Sequence, residues 1–292
     1  MEVNASPKGI TMKEATLKKI YWINGNWIKS DDIEFLINDR GITFGDGIFE
    51  TILVLNNQPQ LLEAHLTRWN KSARALSMAS PPKQESLTPL INQAISYISL
   101  SNGNGALRIN WSRGKNMNRG INLSPQQDSG NDHIFWLELN QYNPSFEPIS
   151  TSISRYERRN ANSRLSQYKT FNYLQSIQAR HESNLAGYND AILLSTTGEV
   201  CCGATSNIII NRKKEWLTPR IESGCLPGIM RQRGLENGLF KEAKISLKPE
   251  TGDHWLLINS LSCQSITKLN NIILNEYKET EILWKSLLVQ AD

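Results

Sequence analysis

The chain has 292 residues, of which 39% are hydrophobic and 21% are charged, a composition that indicates a globular protein and excludes wholesale disorder. Its net charge of +4 is small and its basic residues are interspersed with acidic ones, which excludes an extended nucleic-acid-binding surface. No apolar run approaches the roughly 20 residues that span a bilayer, so we expect no membrane-spanning helix.

The first residues, 1–18, are polar and lack the apolar centre of a signal peptide, so we expect a loose N-terminal extension and a cytoplasmic protein. The four cysteines have spacings that fit neither a zinc site nor a disulfide framework, which predicts reduced thiols and no metal site. Two of them, Cys201 and Cys202, are adjacent, and on a regular strand they would point to opposite faces.

The first half of the chain mixes short strands with two helices. An Asn24-Gly25 step predicts a hairpin between strands at 20–23 and 27–28. The stretch 39–51 is rich in glycine and predicts a loop that wraps closely around something. Helical spacing over 61–76 places Arg68 beside an apolar stripe. The other predicted elements are a strand at 52–55, a helix at 87–100 and strands at 105–111 and 133–139.

A turn-rich segment around residues 141–148 predicts a linker between a domain at 19–140 and a second domain at 149–292. In the second domain we expect a helix that starts near Lys169 and ends near residue 186. Pro227 precedes a further helix, and the exposed N–H groups at such a helix start suit a phosphate. The remaining predicted elements are strands at 149 onward, 191–195, 200–211, 216–217, 254–260 and 266–269, and a closing helix at 281–289.

Several short motifs occur in a fixed order between residues 19 and 270. They are Asp39-Arg-Gly-x-x-Phe-Gly-Asp-Gly-x-Phe-Glu-Thr, His65-x-x-Arg68, Lys169-x-x-Asn172, Gly198-x-Val200, Ser206-Asn207, Gly228-Ile-Met-Arg231 and Asn259-Ser-Leu. Together they resemble the class IV (fold type IV) pyridoxal-phosphate enzymes, a family of branched-chain and D-amino-acid aminotransferases and aminodeoxychorismate lyases. The resemblance implies a two-domain α/β fold, with a smaller N-terminal α/β domain, a larger barrel-like C-terminal α/β domain and pyridoxal 5'-phosphate in the cleft.

The resemblance also implies a role for each matching residue. Lys169 would form the Schiff base with the cofactor aldehyde and then serve as the general base. Arg68 would grip the cofactor phosphate with paired N–H donors. Backbone N–H groups of Gly228, Ile229 and Met230 would bind the same phosphate, although many relatives carry a hydroxyl residue where Met230 stands.

One position departs from the family pattern. Relatives place a glutamate five residues before the asparagine of the Ser-Asn pair, where it keeps the pyridine nitrogen protonated, and Cys202 occupies that position here. Glu199 lies three residues away and would face the other side of a regular strand unless a bulge intervened. A neutral thiol would weaken transamination more than an elimination whose product is aromatic.

Other features favour the lyase branch of the family. Arg119, in a basic loop, resembles that group's substrate-carboxylate clamp, and Asn259 and Ser260 resemble its substrate-contacting segment, whereas Ile121 stands where a tyrosine is frequent. The implied reaction converts 4-amino-4-deoxychorismate, a small anionic amino-acid-like substrate, into 4-aminobenzoate and pyruvate for folate biosynthesis. A D-amino-acid or branched-chain aminotransferase is the alternative. A binding protein that has lost turnover is a third, suggested by the departures at Cys202 and Met230.

Members of the family are homodimers in which the partner's N-terminal loop contributes to each site. The resemblance therefore implies a homodimer in which Phe49 or Thr43 acts near the neighbour's substrate.

Overall fold

The computed structural model describes residues 18–23, 25–29, 37–98, 100–115, 120–123 and 132–289. The described chain forms two compact units. The first contains the chain up to Asn143 together with Lys169–Phe171, and the second contains Pro144–Tyr168 and the chain from Asn172 onward. No helix in these described ranges is both long enough and apolar enough to cross a membrane.

The first unit is an antiparallel sheet with helices, and its strands follow the order β2-β1-β6-β5-β3-β4. The strands are β1 (Lys19–Ile23), β2 (Asn26–Lys29), β3 (Gly47–Leu55), β4 (Gln58–Pro59), β5 (Gly105–Ser112) and β6 (Ile134–Gln141), and the helices are α1 (Arg40–Phe44), α2 (Leu62–Ala75) and α3 (Gln84–Tyr97).

Local sequence signals account for the hairpin and the two longer helices of this unit. Ile23 of β1 pairs with Asn26 of β2, and Gly25, just before β2, has a φ of 89°, a left-handed conformation that favours glycine. The apolar stripe of α2 is buried at Leu66 and Trp69, where it joins the side chains of α3 and one face of the sheet in a single core.

The loop predicted for residues 39–51 is wrong. This stretch contains α1 and the start of β3. The Asp39 side chain accepts a hydrogen bond from the Gly41 N–H at 2.7 Å and so caps the N-terminus of α1. Gly45, with a φ of 67°, ends the helix. The glycine-rich composition therefore reflects a helix terminus and a strand start.

The second unit has nine strands and three α-helices among its described residues. The strands are β7 (Ile149–Arg159), β8 (Asp190–Ser195), β9 (Val200–Gly203), β10 (Asn207–Arg212), β11 (Glu215–Pro219), β12 (Phe240–Ala243), β13 (His254–Asn259), β14 (Ser262–Leu269) and β15 (Ile272–Ile273), and the helices are α4 (Leu174–Leu185), α5 (Ile229–Glu236) and α6 (Thr280–Ser286).

Six of these strands close into a barrel. The pairing runs β10-β13-β14-β7-β8-β9, and β9 pairs in turn with β10. The barrel-like second domain expected from the sequence is thus confirmed. The single strand predicted at 200–211 is two strands, because the Gly203 N–H donates to the Ser206 carbonyl at 2.8 Å and closes a turn between them.

The helix expected to start near Lys169 begins at Leu174 instead. The residues Lys169–Phe171, which belong to the first unit, are extended and pair with β3 through a bridge between Thr170 and Ile48. The Phe171 N–H also donates to the Gly47 carbonyl at 2.9 Å. These backbone hydrogen bonds hold the segment straight, which explains why it does not begin the helix.

Candidate functional site

Lys169 lies beside an aromatic ring of its own chain. Its Nζ is 4.4 Å from the centre of the Phe49 ring, and the Arg108 guanidinium lies 3.5 Å from the same centre. Phe49 is buried, and its backbone N–H donates to the Lys169 carbonyl at 3.0 Å. The aromatic face attracts both cations. The sequence predicted that Phe49 acts at a neighbour's site, and it did not predict this contact between Phe49 and Lys169 of the same chain.

Further aromatic side chains surround this part of the first unit. The Phe171 ring is 6.2 Å from the Phe49 ring and 5.4 Å from the Trp136 ring. Gly47 accommodates Phe171, since a Cβ at that glycine would stand 2.2 Å from the ring. The lysine is therefore held at an apolar, aromatic wall with one arginine close to it.

Arg108 is not among the site residues predicted above, although the sequence carries a signal for it. Leu107, Ile109 and Trp111 alternate along β5 and join the core, so Arg108 and Asn110 point to the other face. There the Arg108 Nε donates to the Asn110 side-chain oxygen at 2.7 Å. A cation on the face that also carries Phe49 adds positive charge near Lys169.

Arg68 is held by a buried carboxylate. The Arg68 Nε donates to one oxygen of Glu50 at 2.8 Å, and its Nη2 donates to the other at 2.5 Å. His65 Nδ1 also contacts Glu50, at 2.8 Å. The Glu50 and His65 side chains are each 1% exposed and that of Arg68 is 11% exposed, so the arginine is the outermost of the three.

The charges of this group follow from its burial. Burial alone would raise the pKa of Glu50, but the charge of Arg68 and the hydrogen bond with His65 outweigh it and lower that pKa to about 2. Burial lowers the pKa of His65, and its contact with Glu50 opposes this without cancelling it. Glu50 is therefore ionised and His65 neutral at pH 7, with His65 Nδ1–H donating to the carboxylate.

Cys202 belongs to a cluster of three thiols in the second unit. Between β8 and β9 the register passes from Leu193–Cys202 to Leu194–Val200, so Cys201 is the extra residue of a bulge. The expectation that Cys201 and Cys202 point to opposite faces is wrong for this reason. Both pack in one cluster with Cys225.

The thiols of this cluster contact one another. Hydrogen bonds from Cys201 to Cys202 and Cys225, together with burial, raise the pKa of Cys201 far above its usual range. All four cysteines of the chain are free and buried. Among the residues that the structure describes, no group of three or more His, Cys, Asp and Glu side chains could hold a metal ion.

The nearby glutamate is engaged elsewhere. Glu199 accepts a hydrogen bond from the Thr197 hydroxyl at 3.1 Å and lies 3.9 Å from the Arg220 guanidinium. The bulge at Cys201 lies between Glu199 and Cys202, and Glu199 would need such a bulge to replace the missing carboxylate partner of the pyridine nitrogen. Its contacts, however, keep the Glu199 carboxylate at Thr197 and near Arg220.

The start of α5 is packed tightly against Asn207. A Cβ at Gly228, the N-cap, would stand 1.9 Å from the Asn207 side-chain oxygen, and the Asn207 amide donates to the Leu226 carbonyl at 2.8 Å. The Gly228 N–H donates to the same carbonyl at 2.8 Å. The first-turn N–H groups of Ile229 and Met230 have no partner within the helix, so they are the remaining donors of the predicted set.

Asn259 and Ser260 lie at the end of β13. The Asn259 amide donates to the Ser206 hydroxyl at 2.9 Å, and its side-chain oxygen accepts from the Leu261 N–H at 2.8 Å. Both ends of this side chain therefore bind protein groups, and substrate contact by Asn259 and Ser260 stays a prediction.

The second unit thus links several predicted residues. Asn207 pairs with Cys202 across β9 and β10 and also contacts Gly228. Arg119 lies outside the described residues, and Thr43 is exposed on α1.

Each unit by itself offers donors that suit part of a phosphorylated aldehyde. In the first unit the amine of Lys169 suits the aldehyde and the guanidinium of Arg68 suits a phosphate. In the second unit the helix N-terminus at Ile229 and Met230 suits a phosphate. Cys202 does not fit the role of a carboxylate partner for a protonated pyridine nitrogen, because a neutral thiol cannot balance that charge.

Comparison with known proteins places these features in a family context. The family model described as amino-transferase class IV matches residues 47–269. The branched-chain-amino-acid aminotransferase-like protein 2 of Arabidopsis thaliana is 28% identical over 275 residues, which cover 89% of this chain and 48% of that protein. The chain therefore spans about half the length of this plant relative.

Two further comparisons point to different members. The aminodeoxychorismate lyase of Bacillus subtilis (strain 168) is 24% identical over 228 residues, covering 78% of this chain and 75% of that protein. The branched-chain aminotransferase of Thermoproteus uzoniensis, solved with norvaline, superposes with a TM-score of 0.80 at 19% identity over 92% of this chain and 93% of that one. The second likeness concerns the fold alone.

Proposed function

The chain belongs to the amino-transferase class IV family, and from that premise we propose that it is an aminodeoxychorismate lyase, which converts 4-amino-4-deoxychorismate into 4-aminobenzoate and pyruvate for folate biosynthesis. Enzymes of this family use pyridoxal phosphate, so the chain is a pyridoxal-phosphate enzyme.

The residues that would hold the cofactor are Lys169 for the aldehyde, and Arg68, Ile229 and Met230 for the phosphate. When bound, pyridoxal phosphate supplies an aldehyde that condenses with amines and a ring that withdraws electrons from the adjoining carbon. The Lys169 amine, once free, would accept the proton that leaves the substrate ring. The wall formed by Phe49 and Phe171 would exclude water from that amine.

The observation that carries the choice of a lyase is the thiol at Cys202. Glu199, the glutamate nearest to it in the sequence, accepts a hydrogen bond from Thr197 and lies 3.9 Å from the Arg220 guanidinium. Without a carboxylate partner the cofactor ring withdraws electrons less strongly. A reaction whose product becomes aromatic depends least on that withdrawal, because aromatisation itself favours product formation.

The substrate class follows from charge. A small anionic amino-acid-like molecule would find Arg108 beside Lys169, and the family resemblance adds Arg119 as the proposed clamp for its carboxylate. Asn259 and Ser260 remain proposed substrate contacts. We also infer a cytoplasmic homodimer, in line with the family, with Thr43 on an exposed helix as a candidate contribution to the partner's site.

The decisive experiment supplies the purified protein with 4-amino-4-deoxychorismate. A lyase releases 4-aminobenzoate, detected by its fluorescence after chromatography, and an equal amount of pyruvate, detected with lactate dehydrogenase. The Lys169→Ala variant, purified in the same way, should release neither. Absence of both products from the wild-type protein loaded with cofactor would overturn the proposal.

An aminotransferase acting on D- or branched-chain amino acids is the second candidate, and the plant relative's 28% identity favours it. The same preparation, given D-alanine or leucine with 2-oxoglutarate, would then form a new keto acid and glutamate. A binding protein without turnover is the third candidate, suggested by Cys202 and Met230. It would show no cofactor absorbance even after pyridoxal phosphate is added, whereas Lys169 and Arg68 argue for a loaded site.

A further inference from the structure

Glu50 lies on the core-facing side of β3, among apolar residues. Ile48 and Ile52, two positions away on either side, are buried in the core of the first unit. A lone carboxylate there would be strongly destabilising. Helix α2 supplies its partners, since His65 and Arg68 are three residues apart and therefore share one face of the helix.

The contact between Glu50 and Arg68 fixes the plane of the guanidinium. Two parallel hydrogen bonds, from Nε at 2.8 Å and Nη2 at 2.5 Å, join the two planar groups along one edge. His65 holds the Nη2-bound oxygen of Glu50 from another side at 2.8 Å. The carboxylate therefore cannot rotate without breaking a hydrogen bond to a buried partner.

This arrangement determines which donors of Arg68 can meet a phosphate. A guanidinium has five N–H donors, and the pair with Glu50 uses one on Nε and one on Nη2. Because Glu50 occupies the edge formed by Nε and Nη2, two parallel hydrogen bonds to a phosphate would have to come from the edge formed by Nη1 and the second hydrogen of Nη2. Arg68 is also the most exposed of the three side chains, at 11%, so this edge belongs to the outermost group.

We propose that Glu50 is a positioning residue that orients the Arg68 guanidinium and so determines how strongly the protein prefers the phosphorylated cofactor over its unphosphorylated form. The inference rests on the proposed role of Arg68 in binding the cofactor phosphate. Arginine is a long side chain with several rotatable bonds, and fixing its orientation before binding removes part of the entropy cost of gripping the phosphate.

The charged and titratable groups around Glu50 are compatible with this role. Arg68 and His65 face it from α2, and the charge of Lys169 also reaches His65. The charge of Glu50 opposes that of Arg68, while the paired contact between them fixes the direction of the guanidinium. The carboxylate thus contributes to binding through geometry, since its own charge would repel a phosphate.

The test compares pyridoxal phosphate with pyridoxal, which keeps the aldehyde and the ring and lacks only the phosphate. The apo-protein is titrated with each compound, and binding is followed by quenching of tryptophan fluorescence. The proteins are wild type, Glu50→Gln, Glu50→Asp, Arg68→Met and Glu138→Gln. Glu138 is a matched control, because it is a partly buried carboxylate on β6 of the same sheet that pairs with Lys19.

The Glu50→Gln variant keeps the shape of the side chain but places an amide N–H₂ against donors of Arg68 or His65. We expect its Kd for pyridoxal phosphate to rise about tenfold or more while its Kd for pyridoxal changes less than about twofold. Glu50→Asp retains the charge but its side chain is shorter by one methylene. We therefore expect a smaller rise in its Kd for pyridoxal phosphate, again with little change in its Kd for pyridoxal. The Glu138→Gln variant should match the wild type with both compounds.

A general structural role predicts a different result. If Glu50 only stabilises the fold, its variants would weaken pyridoxal and pyridoxal phosphate by equal factors, which would overturn the inference. Unchanged binding of both compounds by Glu50→Asp and Glu50→Gln would overturn it as well. If Glu50→Gln does not fold, Glu50→Asp decides the matter in the same way. Failure of Arg68→Met to reduce the preference for the phosphorylated compound would instead show that the proposed phosphate role of Arg68 is wrong.

Discussion

The amine of Lys169 lies 4.4 Å from the centre of the Phe49 ring, while the backbones of the two residues are joined by a hydrogen bond of 3.0 Å. The lysine is therefore fixed to strand β3 at two levels, by its main chain and by its side chain. A lysine held in this way has less freedom to turn toward solvent than one at the start of a helix.

Replacement of Lys169 by alanine should abolish the covalent attachment of the cofactor and lower kcat about a thousandfold or more, because the same amine would bind the aldehyde and move the proton. Borohydride reduction followed by mass spectrometry of the intact protein checks the first effect. Lys241→Ala is the control, since Lys241 is an exposed lysine paired with Glu215. Permanent labelling of the Lys169→Ala protein would assign the attachment to another lysine.

Replacement of Cys202 by glutamate should restore a carboxylate partner for the cofactor ring. We expect a shift of the visible absorbance band and a rise of about tenfold or more in the rate of amino-group transfer from an amino acid to the cofactor. Cys202→Gln is the matched control, because it has the same size without the charge. Identical spectra and rates for the two variants would show that position 202 does not contact the ring nitrogen.

The sequence predicted the elements that depend on local chemistry. The pairing of β1 with β2 follows from Gly25, whose left-handed conformation favours glycine, and α2 follows from its apolar spacing. The extended conformation at Lys169 could not be predicted, because its partner Gly47–Phe49 lies about 120 residues earlier in the chain. Such a pairing overrides the local preference for helix.

The thiol cluster and the buried acid illustrate the same limit. A bulge adds one residue to a strand and changes which side chains share a face, and nothing in the pattern around Cys201 announces it. Glu50 offered a signal that was missed, since it occupies a core-facing position between Ile48 and Ile52. A charged residue in an apolar alternation demands a partner, but only the packing of α2 identifies Arg68 and His65 as that partner.

The pairing of Glu50 should make the protein sensitive to acid. The pKa of Glu50 is lowered from 4.5 to about 2, so its contribution to stability is complete above pH 4.5 and is lost as the pH falls toward 2. That contribution is on the order of 3 kcal/mol. Urea unfolding at pH 6, 4 and 3 should show the free energy of unfolding falling more steeply for the wild type than for Glu50→Gln. Parallel pH dependences would contradict the lowered pKa.

Replacement of Gly228 by alanine should disturb the start of α5. The new Cβ would stand 1.9 Å from the side-chain oxygen of Asn207, which cannot easily move because its amide is bound to the Leu226 carbonyl. We expect a loss of about 2 kcal/mol in the free energy of unfolding, measured with urea, and weaker binding of pyridoxal phosphate as the N–H groups of Ile229 and Met230 shift.

The clash has a specific relief, which separates it from a general effect of adding a side chain. In the double variant Gly228→Ala/Asn207→Ala the obstructing oxygen is gone. The losses in free energy of unfolding of the two single variants, added together, should therefore exceed the loss of the double variant by about 1 kcal/mol. The glycine at 228 is required by this contact and not by its backbone conformation, because its φ of −68° is open to any residue. Strictly additive losses would mean that Asn207 is not the obstacle and that the helix start tolerates the added methyl group in another way.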